Sequence, residues 1–353
     1  MLFGLGCNSE EKQPLSIGND YALDAPPPYN SIYKVLGSLN GVGGGRPKGL
    51  AAYNESAHAV DIFDWESGKQ KQIELEKEGP DAIQKVKFIQ YVAVDSILLA
   101  TSRKIIIVDS VGHSVTEYNI SKNWGSETGN ELGDHYLPYF APDNGVQAYY
   151  DRNSNEFYFR LNYFEYPAFV SPENYLKEVR LFASINLRSH QVTTLDISYP
   201  DALRSNNYGA LDQVYCSFTG KGVYYGVKGF PELYYFDHAS GSTKVFGSYD
   251  GSTPPAPYPI GDDLLQHLMA HDHYLDVRVD RENEKLYRFI NRATGQGRHT
   301  SFMQIYSLNR FVLEKEGEVP KWRIWRGLFF GENGAYLPVL NGPENKLLFT
   351  KIS

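Results

Sequence analysis

Cysteine is nearly missing from this chain: there are two, Cys7 and Cys216, in 353 residues. One lies in a polar N-terminal tail and the other stands alone in Tyr215-Cys216-Ser217-Phe218, so neither a disulfide framework nor a zinc knuckle is written here. Cys216 reads as a small buried hydrophobe, the usual place for an unpaired cysteine. No stretch approaches the ~18 consecutive apolar residues of a membrane helix. Positive charge is short as well. Lys and Arg number 34 against 42 Asp and Glu, a formal charge of −8, which argues against the clustered basic surface of a nucleic-acid binder. There is no Gly-x-Ser-x-Gly, and no Ser-x-x-Lys with its partner motifs, so no familiar nucleophile is on display.

Aromatic residues, by contrast, are abundant: 27 Tyr and 19 Phe, which favour strands over helices. Five segments repeat one theme of strand, turn led by Asp, Asn or Ser, and second strand. They are VDIFDWESGKQKQIEL, KIIIVDSVGHSVTEYNI, LFASINLRSHQVTTLDI, ELYYFDHASGSTKVFG and FMQIYSLNRFVLEKEG, with leaders Asp64, Asp109, Asn186, Asp237 and Ser307. Their spacing is that of a four-stranded propeller blade, about 40–50 residues, or of a blade carrying an insertion. A second hairpin also recurs, as DRNSNEFYFRLN from Asp151 and DRENEKLYRFIN from Asp280, with LNGPENKLLFTKI near the C-terminus as a looser copy. The string LEKEG occurs at Leu75–Gly79 and Leu313–Gly317, each time after a hairpin.

Counted out, the units run 50–80, 86–120, 146–198, 213–250, 274–320 and 324–352. The last lacks an outer strand, and the segment around Tyr21-Ala22-Leu23 has no other home. The expectation is an all-β β-propeller of six four-stranded blades, with seven as the alternative, closed by an N-terminal strand that hides the sheet edges. Residues 1–19 would be a lipoprotein tether or signal remnant and 20–353 a single domain. Insertions at 121–145, 162–178 and 251–273 would be loops on blade ends.

The strings IFDWESGKQKQIELEKEGPDAI, EKLYRFIN, FMQIYSLNRFVLEKEGEVP and ENKLLFTKI together resemble the uncharacterised six-bladed propeller lipoproteins of Bacteroidetes, a domain-of-unknown-function family of TolB-like propellers. The resemblance spans most of the chain from about Tyr21. It implies a propeller and an exported, lipid-anchored protein, and it implies no activity.

Several motifs invite a chemical reading. GSLNGVGGGRPKG (Gly37–Gly49) lacks the Gly-Lys-Ser/Thr ending of a phosphate loop and reads as a linker into the first blade. QHLMAHDHYLD places His267 and His271 at i,i+4 with Asp272 and His273 following; a metal pair or a polar loop both fit, and zinc-site spacing is absent. Arg160 and Arg288 sit at like positions in the two recurring hairpins. They would either pair with carboxylates inside the blade stack or face the channel and hold an anionic group by bidentate bonds. Tyr136, Tyr139, Tyr163 and Tyr166 lie in aromatic-rich insertions that would form a stacking platform for sugars or simply anchor long loops. Cys7 follows Gly4-Leu5-Gly6 and precedes an acidic, polar stretch. A small residue before cysteine is what lipoprotein processing requires, and Met1 to Gly6 is too short to be a whole export signal. Cys7 therefore reads as a lipidation site behind a clipped signal.

The function expected is a non-catalytic lipoprotein of the cell envelope, on the outer membrane and exposed at the cell surface, acting as a binding platform for a protein or glycan. The alternative is a hydrolase or lyase centred on the channel and acting on a sugar or lactone. The first reading carries no catalytic residues, no metal, no cofactor and no nucleic acid. It has membrane contact only through the lipid at Cys7, and a monomeric state.

Overall fold

The computed structural model describes residues 13–24, 33–39, 49–64, 70–79, 82–83, 85–93, 95–120, 124, 136–140, 146–163, 179–204, 209–247, 263–295, 297–319, 328–331, 334–339 and 346–352. They form a six-bladed β-propeller. Strands β1 (Gln13–Pro14) and β2 (Ile17–Asp24) precede the first blade. That blade comprises β3 (Tyr33–Leu39), β4 (Gly49–Asn54), β5 (Ala59–Asp64) and β6 (Gln70–Glu74). The second comprises β7 (Phe88–Ala93), β8 (Ser96–Ala100), β9 (Lys104–Asp109) and β10 (Ser114–Asn119). Next come β11 (Tyr136–Tyr139), β12 (Val146–Gln147), β13 (Tyr149–Asp151), β14 (Glu156–Tyr163), β15 (Phe182–Asn186) and β16 (Val192–Thr194). All of these but β12 build the third blade, whose inner position is shared by β13 and β11 along β14.

A short helix, α1 (Asp201–Arg204), leads to the fourth blade. Its strands are β17 (Val214–Thr219), β18 (Gly222–Val227), β19 (Leu233–Asp237) and β20 (Thr243–Phe246). Helix α2 (Leu264–Ala270) leads to the fifth, made of β21 (His273–Asp280), β22 (Lys285–Ala293), β23 (His299–Ser307) and β24 (Val312–Glu318). The sixth is β25 (Phe329–Gly331), β26 (Gly334–Pro338) and β27 (Lys346–Ile352), completed by β2 from the other end of the chain.

The closure is the one expected, an N-terminal strand on the last blade: Tyr21 faces Phe349, Ala22 faces Leu348 and Leu23 faces Leu347. The ring leaves few unpaired edges, which is the main liability of an all-β chain. Two short parallel strands lie outside the four-stranded plan. β1 adds to the outer edge of the fifth blade, Gln13 beside Lys315. β12 crosses to the inner edge of the fourth, Val146 beside Cys216. The span 1–19 thus supplies strand residues from Gln13 onward.

Each blade packs face to face on its neighbours, so the core lies between blades. Central strands are buried on both faces and read as continuous apolar runs rather than alternations: SILLA in β8, IIIV in β9, VYCSF in β17. Cys216, at 0% exposure, is one of these core residues.

The turn leaders named from the sequence do what their chemistry suggests. Asp109 Oδ1 accepts the N–H groups of Val111 and His113, both at 2.9 Å. Asn186 Oδ1 accepts from Arg188 and Ser189, and Asp237 Oδ1 from Ala239 and Ser240. Each turn then needs one residue at positive φ to re-enter the sheet. That residue is Gly112, His190, Gly241 or Phe311 in blades two to five. Only Gly112 is sterically obligatory among them, because a Cβ there would strike the Glu74 carbonyl.

Three expectations need correction. The first blade begins at β3, not at residue 50: Gly37, Ser38 and Leu39 pair with Ala51, Leu50 and Gly49. The glycine-rich stretch therefore joins the two inner strands of a blade rather than leading into it. Glycines there masked an ordinary hairpin, because the strand is short of the β-branched residues that usually announce one. The two LEKEG copies are also not equivalent. Leu313–Gly317 lies within β24, whereas Leu75–Gly79 follows the end of β6. The third correction concerns the two arginines.

Candidate functional site

Arg160 and Arg288 are one residue out of step. Both hairpins turn at an Asp whose Oδ1 caps the loop, Asp151 accepting from Asn153 and Asp280 from Asn283. Both then place a residue at positive φ, Asn155 and Glu284, and both re-pair directly, Asp151 with Glu156 and Asp280 with Lys285. Counted from there, Arg288 matches Phe159 and Arg160 matches Phe289. An offset of one residue sends a strand's side chain to the opposite face. Arg160 consequently points forward and Arg288 backward, and both reach the fourth blade between them.

Arg288 is fully buried at 0% exposure. Its Nε donates to the Tyr215 hydroxyl at 3.2 Å and one terminal nitrogen to the same oxygen at 3.0 Å. The terminal nitrogens also donate to the carbonyls of Pro231 at 2.6 Å and Phe230 at 3.1 Å. The guanidinium lies 3.7 Å from the centre of the Tyr274 ring. Burial pushes the Tyr215 hydroxyl up to about 12, with Arg288 pulling the other way, so it stays neutral. Neither alternative drawn from the sequence describes this: the cation is held by carbonyls, a hydroxyl and a ring, with no ion pair among the described residues. A buried acid–base pair does exist in the same blade, but it is Arg278 Nε on Asp276 Oδ2 at 2.6 Å.

Arg160 is half-buried and more loosely held. One terminal nitrogen donates to the Val214 carbonyl at 3.2 Å, and the guanidinium sits 5.5 Å from the Tyr139 ring centre. Its Nε is buried without a partner among the described residues. A third arginine, missed in the sequence, ties the same blades at the hairpin end. Arg281 donates to the Tyr149 hydroxyl at 2.8 Å and the Phe218 carbonyl at 3.2 Å, and lies 3.9 Å over the Tyr149 ring. These partners are 54 to 132 residues away in sequence, which is why no local motif announces them.

Of the tyrosines, Tyr136 is a core residue at 7% exposure, its hydroxyl accepting the Arg180 N–H. It belongs to the same core cluster as Trp124, Phe140 and Phe159 rather than being presented. Tyr139 is half-buried beneath Arg160. Tyr163 ends β14, paired with Tyr136; its side chain, Tyr166 and Cys7 lie outside the described residues.

The histidines gather at the other end of blade five. Ser301 Oγ–H donates to Asn291 Oδ1, which fixes the amide so that its NH2 group meets His273 Nε2 at 3.2 Å. His273 Nδ1–H is then left to donate to the His271 carbonyl. Burial, helped by His299 and Lys228, lowers the His273 pKa to about 3, so the ring is neutral. The His267 and His271 rings lie 4.4 Å apart, tilted by 39°, with His271 Nδ1 turned back on the His267 carbonyl. Among the described residues no three His, Cys, Asp or Glu side chains converge as metal ligands.

Among solved structures, a family member from Bacteroides vulgatus matches over 97% of this chain and 99% of its own, with a TM-score of 0.76 and 18% identity. A putative exported protein from Bacteroides fragilis matches over 96% and 95%, with a TM-score of 0.53 and 11% identity. At these identities the likeness establishes the fold. No curated protein matches the sequence. No helix among the described residues is long and apolar enough to cross a membrane. The profile of a domain of unknown function, DUF4221, matches residues 47–311, well over half of the sequence, and the chain belongs to that family.

Proposed function

We propose that this protein is an exported binding scaffold of the cell envelope, held at the membrane by a lipid on Cys7, for a protein or glycan ligand. The observation that carries the reading is an asymmetry between the two ends of the ring. At one end of blades two to five, adjacent strands are joined by turns of two to five residues, such as 110–113, 152–155, 220–221 and 281–284. From the other end leave 120–135, 164–181, 195–213 and 247–272. Crossing from an outer strand to the next inner one spans about 14 Å, three strand spacings, so some length there is required. The 164–181 segment has no such excuse, since β14 and β15 are hydrogen-bonded neighbours that a two-residue turn would join. Elaborated connections on a rigid scaffold are where binding residues concentrate.

One further point favours binding over catalysis, and another bears on location. The buried polar groups of blade five are engaged with one another: Asp276 with Arg278, His273 with Asn291 and the His271 carbonyl. The Bacteroides fragilis protein of similar fold is described as a putative exported protein, in keeping with an envelope location.

Replacing 164–178 by a two-residue turn tests the reading. A panel of soluble glycans and envelope proteins is screened by thermal shift against parent and variant, since a ligand of the native state raises the melting temperature. The expected result is a ligand that shifts the parent and not the variant, with both folded. A shift that survives the replacement overturns the assignment of the face. Anchoring is checked separately by palmitate labelling of the protein expressed from the gene with its upstream codons: an unmodified Cys7 thiol in the soluble fraction defeats it.

A further inference from the structure

Arg152 and Arg281 follow the turn aspartates Asp151 and Asp280 of the two recurring hairpins, yet they have different fates. Arg281 is bound into the third and fourth blades. Arg152 is exposed and lines a cleft of about 340 Å³ between the hairpin ends of blades two and three. That volume is at the lower end of the ~300–1,000 Å³ range of small-molecule sites.

The lining has two characters. Asp95, Asp109, Thr116 and Arg152 make it polar. Val92, Ile107 and Val115 add aliphatic surface, with Ile107 directly opposite Thr116 across β9 and β10. Val115 is 64% exposed, and Val111, in the adjoining turn, is 67% exposed. Asp109 is kept ionised, because the backbone N–H groups of Val111 and His113 hold its pKa below the usual carboxylate range. The site is firmly floored. Tyr150 O–H donates to Asn155 Oδ1 at 3.0 Å, and Gln90 brackets the Tyr150 backbone at 2.8 Å and 2.7 Å.

Two carboxylates against one guanidinium make the lining rich in acceptors and net negative. A matching ligand is rich in O–H or N–H donors along one edge and apolar on one face, and it carries no anion. A pyranose has that shape, with hydroxyls around its rim and C–H groups on a face. We propose that this cleft binds a single neutral or amino-sugar unit, with Asp95 and Asp109 accepting from its hydroxyl or ammonium groups and Val115 against its C–H face. The site is at the opposite end of the ring from the long connections, so it is independent of the reading above.

The test uses ligand-observed saturation-transfer NMR on the whole chain with glucose, glucosamine, glucuronate and methylammonium. Glucose and glucosamine should bind, with glucuronate weaker by roughly tenfold, a difference of about 1.4 kcal/mol. Asp95→Asn should weaken glucosamine roughly tenfold, and Val115→Asp should abolish transfer from glucose. Both positions are exposed, so the melting temperature of each variant should match the parent. Transfer that is unchanged in both variants, or no transfer from either neutral or amino sugar, overturns the proposal. So does methylammonium binding as well as glucosamine while glucose fails, which would make the cleft a cation site.

Discussion

The β13–β14 and β21–β22 hairpins share their turn aspartate, the arginine after it, a positive-φ residue and an aromatic strand, but they use their arginines in different ways. In the later hairpin Arg281 and Arg288 are both structural ties to blade four. In the earlier one, Arg160 makes a single long carbonyl contact and Arg152 faces a cleft. Strand parity is what separates Arg160 from Arg288. In a ring of stacked sheets, moving one residue along a strand exchanges one neighbouring blade for the other. A repeat motif therefore specifies the hairpin, and the parity of its polar residue specifies the partner.

Substitution can break that comparison. Arg288→Met strands two carbonyls and a tyrosine hydroxyl in the core and should cost roughly 3–5 kcal/mol, read by urea unfolding. A loss below about 1 kcal/mol would mean that the neighbours repack without it. The second prediction concerns pH. His273 is neutral when folded, with its pKa lowered to about 3 by burial, and it protonates near pH 6.5 only when unfolded. Acid therefore favours the unfolded chain. The histidine's share of stability is intact above about pH 6.5 and falls by at most about 1.4 kcal/mol per pH unit toward pH 3. His273→Phe should remove that part of the slope; an unchanged slope would assign it to other groups.

Arg160→Met should cost less than about 1 kcal/mol, because one hydrogen bond is lost while a buried, unpartnered Nε goes with it. A cost equal to that of Arg288→Met would erase the distinction. The smallest effect is expected at the turns. Glu284 holds φ near 51° where the earlier hairpin has Asn155 at 57°, and asparagine tolerates that region better. Glu284→Asn should raise stability by a few tenths of a kcal/mol, less the contact with Asn309.

The parts of the fold that were legible in the sequence are those governed by local chemistry. Asp109, Asn186 and Asp237 mark turns because their side chains cap the backbone two to four residues on. The seam could be read because an outer strand was missing at one end of the chain and spare at the other. Parity was written in the sequence too, since Arg160 lies nine residues after Asp151 and Arg288 eight after Asp280, but taking the two arginines as equivalent passed over it. What local sequence could not supply was the set of partners. Tyr215, Phe230 and Pro231 meet Arg288 only because blades four and five stack, and Tyr136 is core because β11 pairs with β14. LEKEG makes the same point. In one copy Gly79 adopts φ 95° in open space, and in the other Gly317 is needed because a Cβ would collide with Leu15.

The seam between β2 and β27 has a consequence in time. Ile17 must find Ile352 and Asp24 must find Lys346, which are contacts of nearly the largest sequence separation this chain allows, and such contacts form late. As the polypeptide leaves the ribosome, β2 emerges early and waits unpaired until its partner strand is made. Five blades can condense in order along the nascent chain, and the sixth is the latch. Forced or thermal opening should start at the same latch, so a disulfide across Ala22 and Leu348, which face each other in register, would act chiefly on the rate at which the ring comes apart.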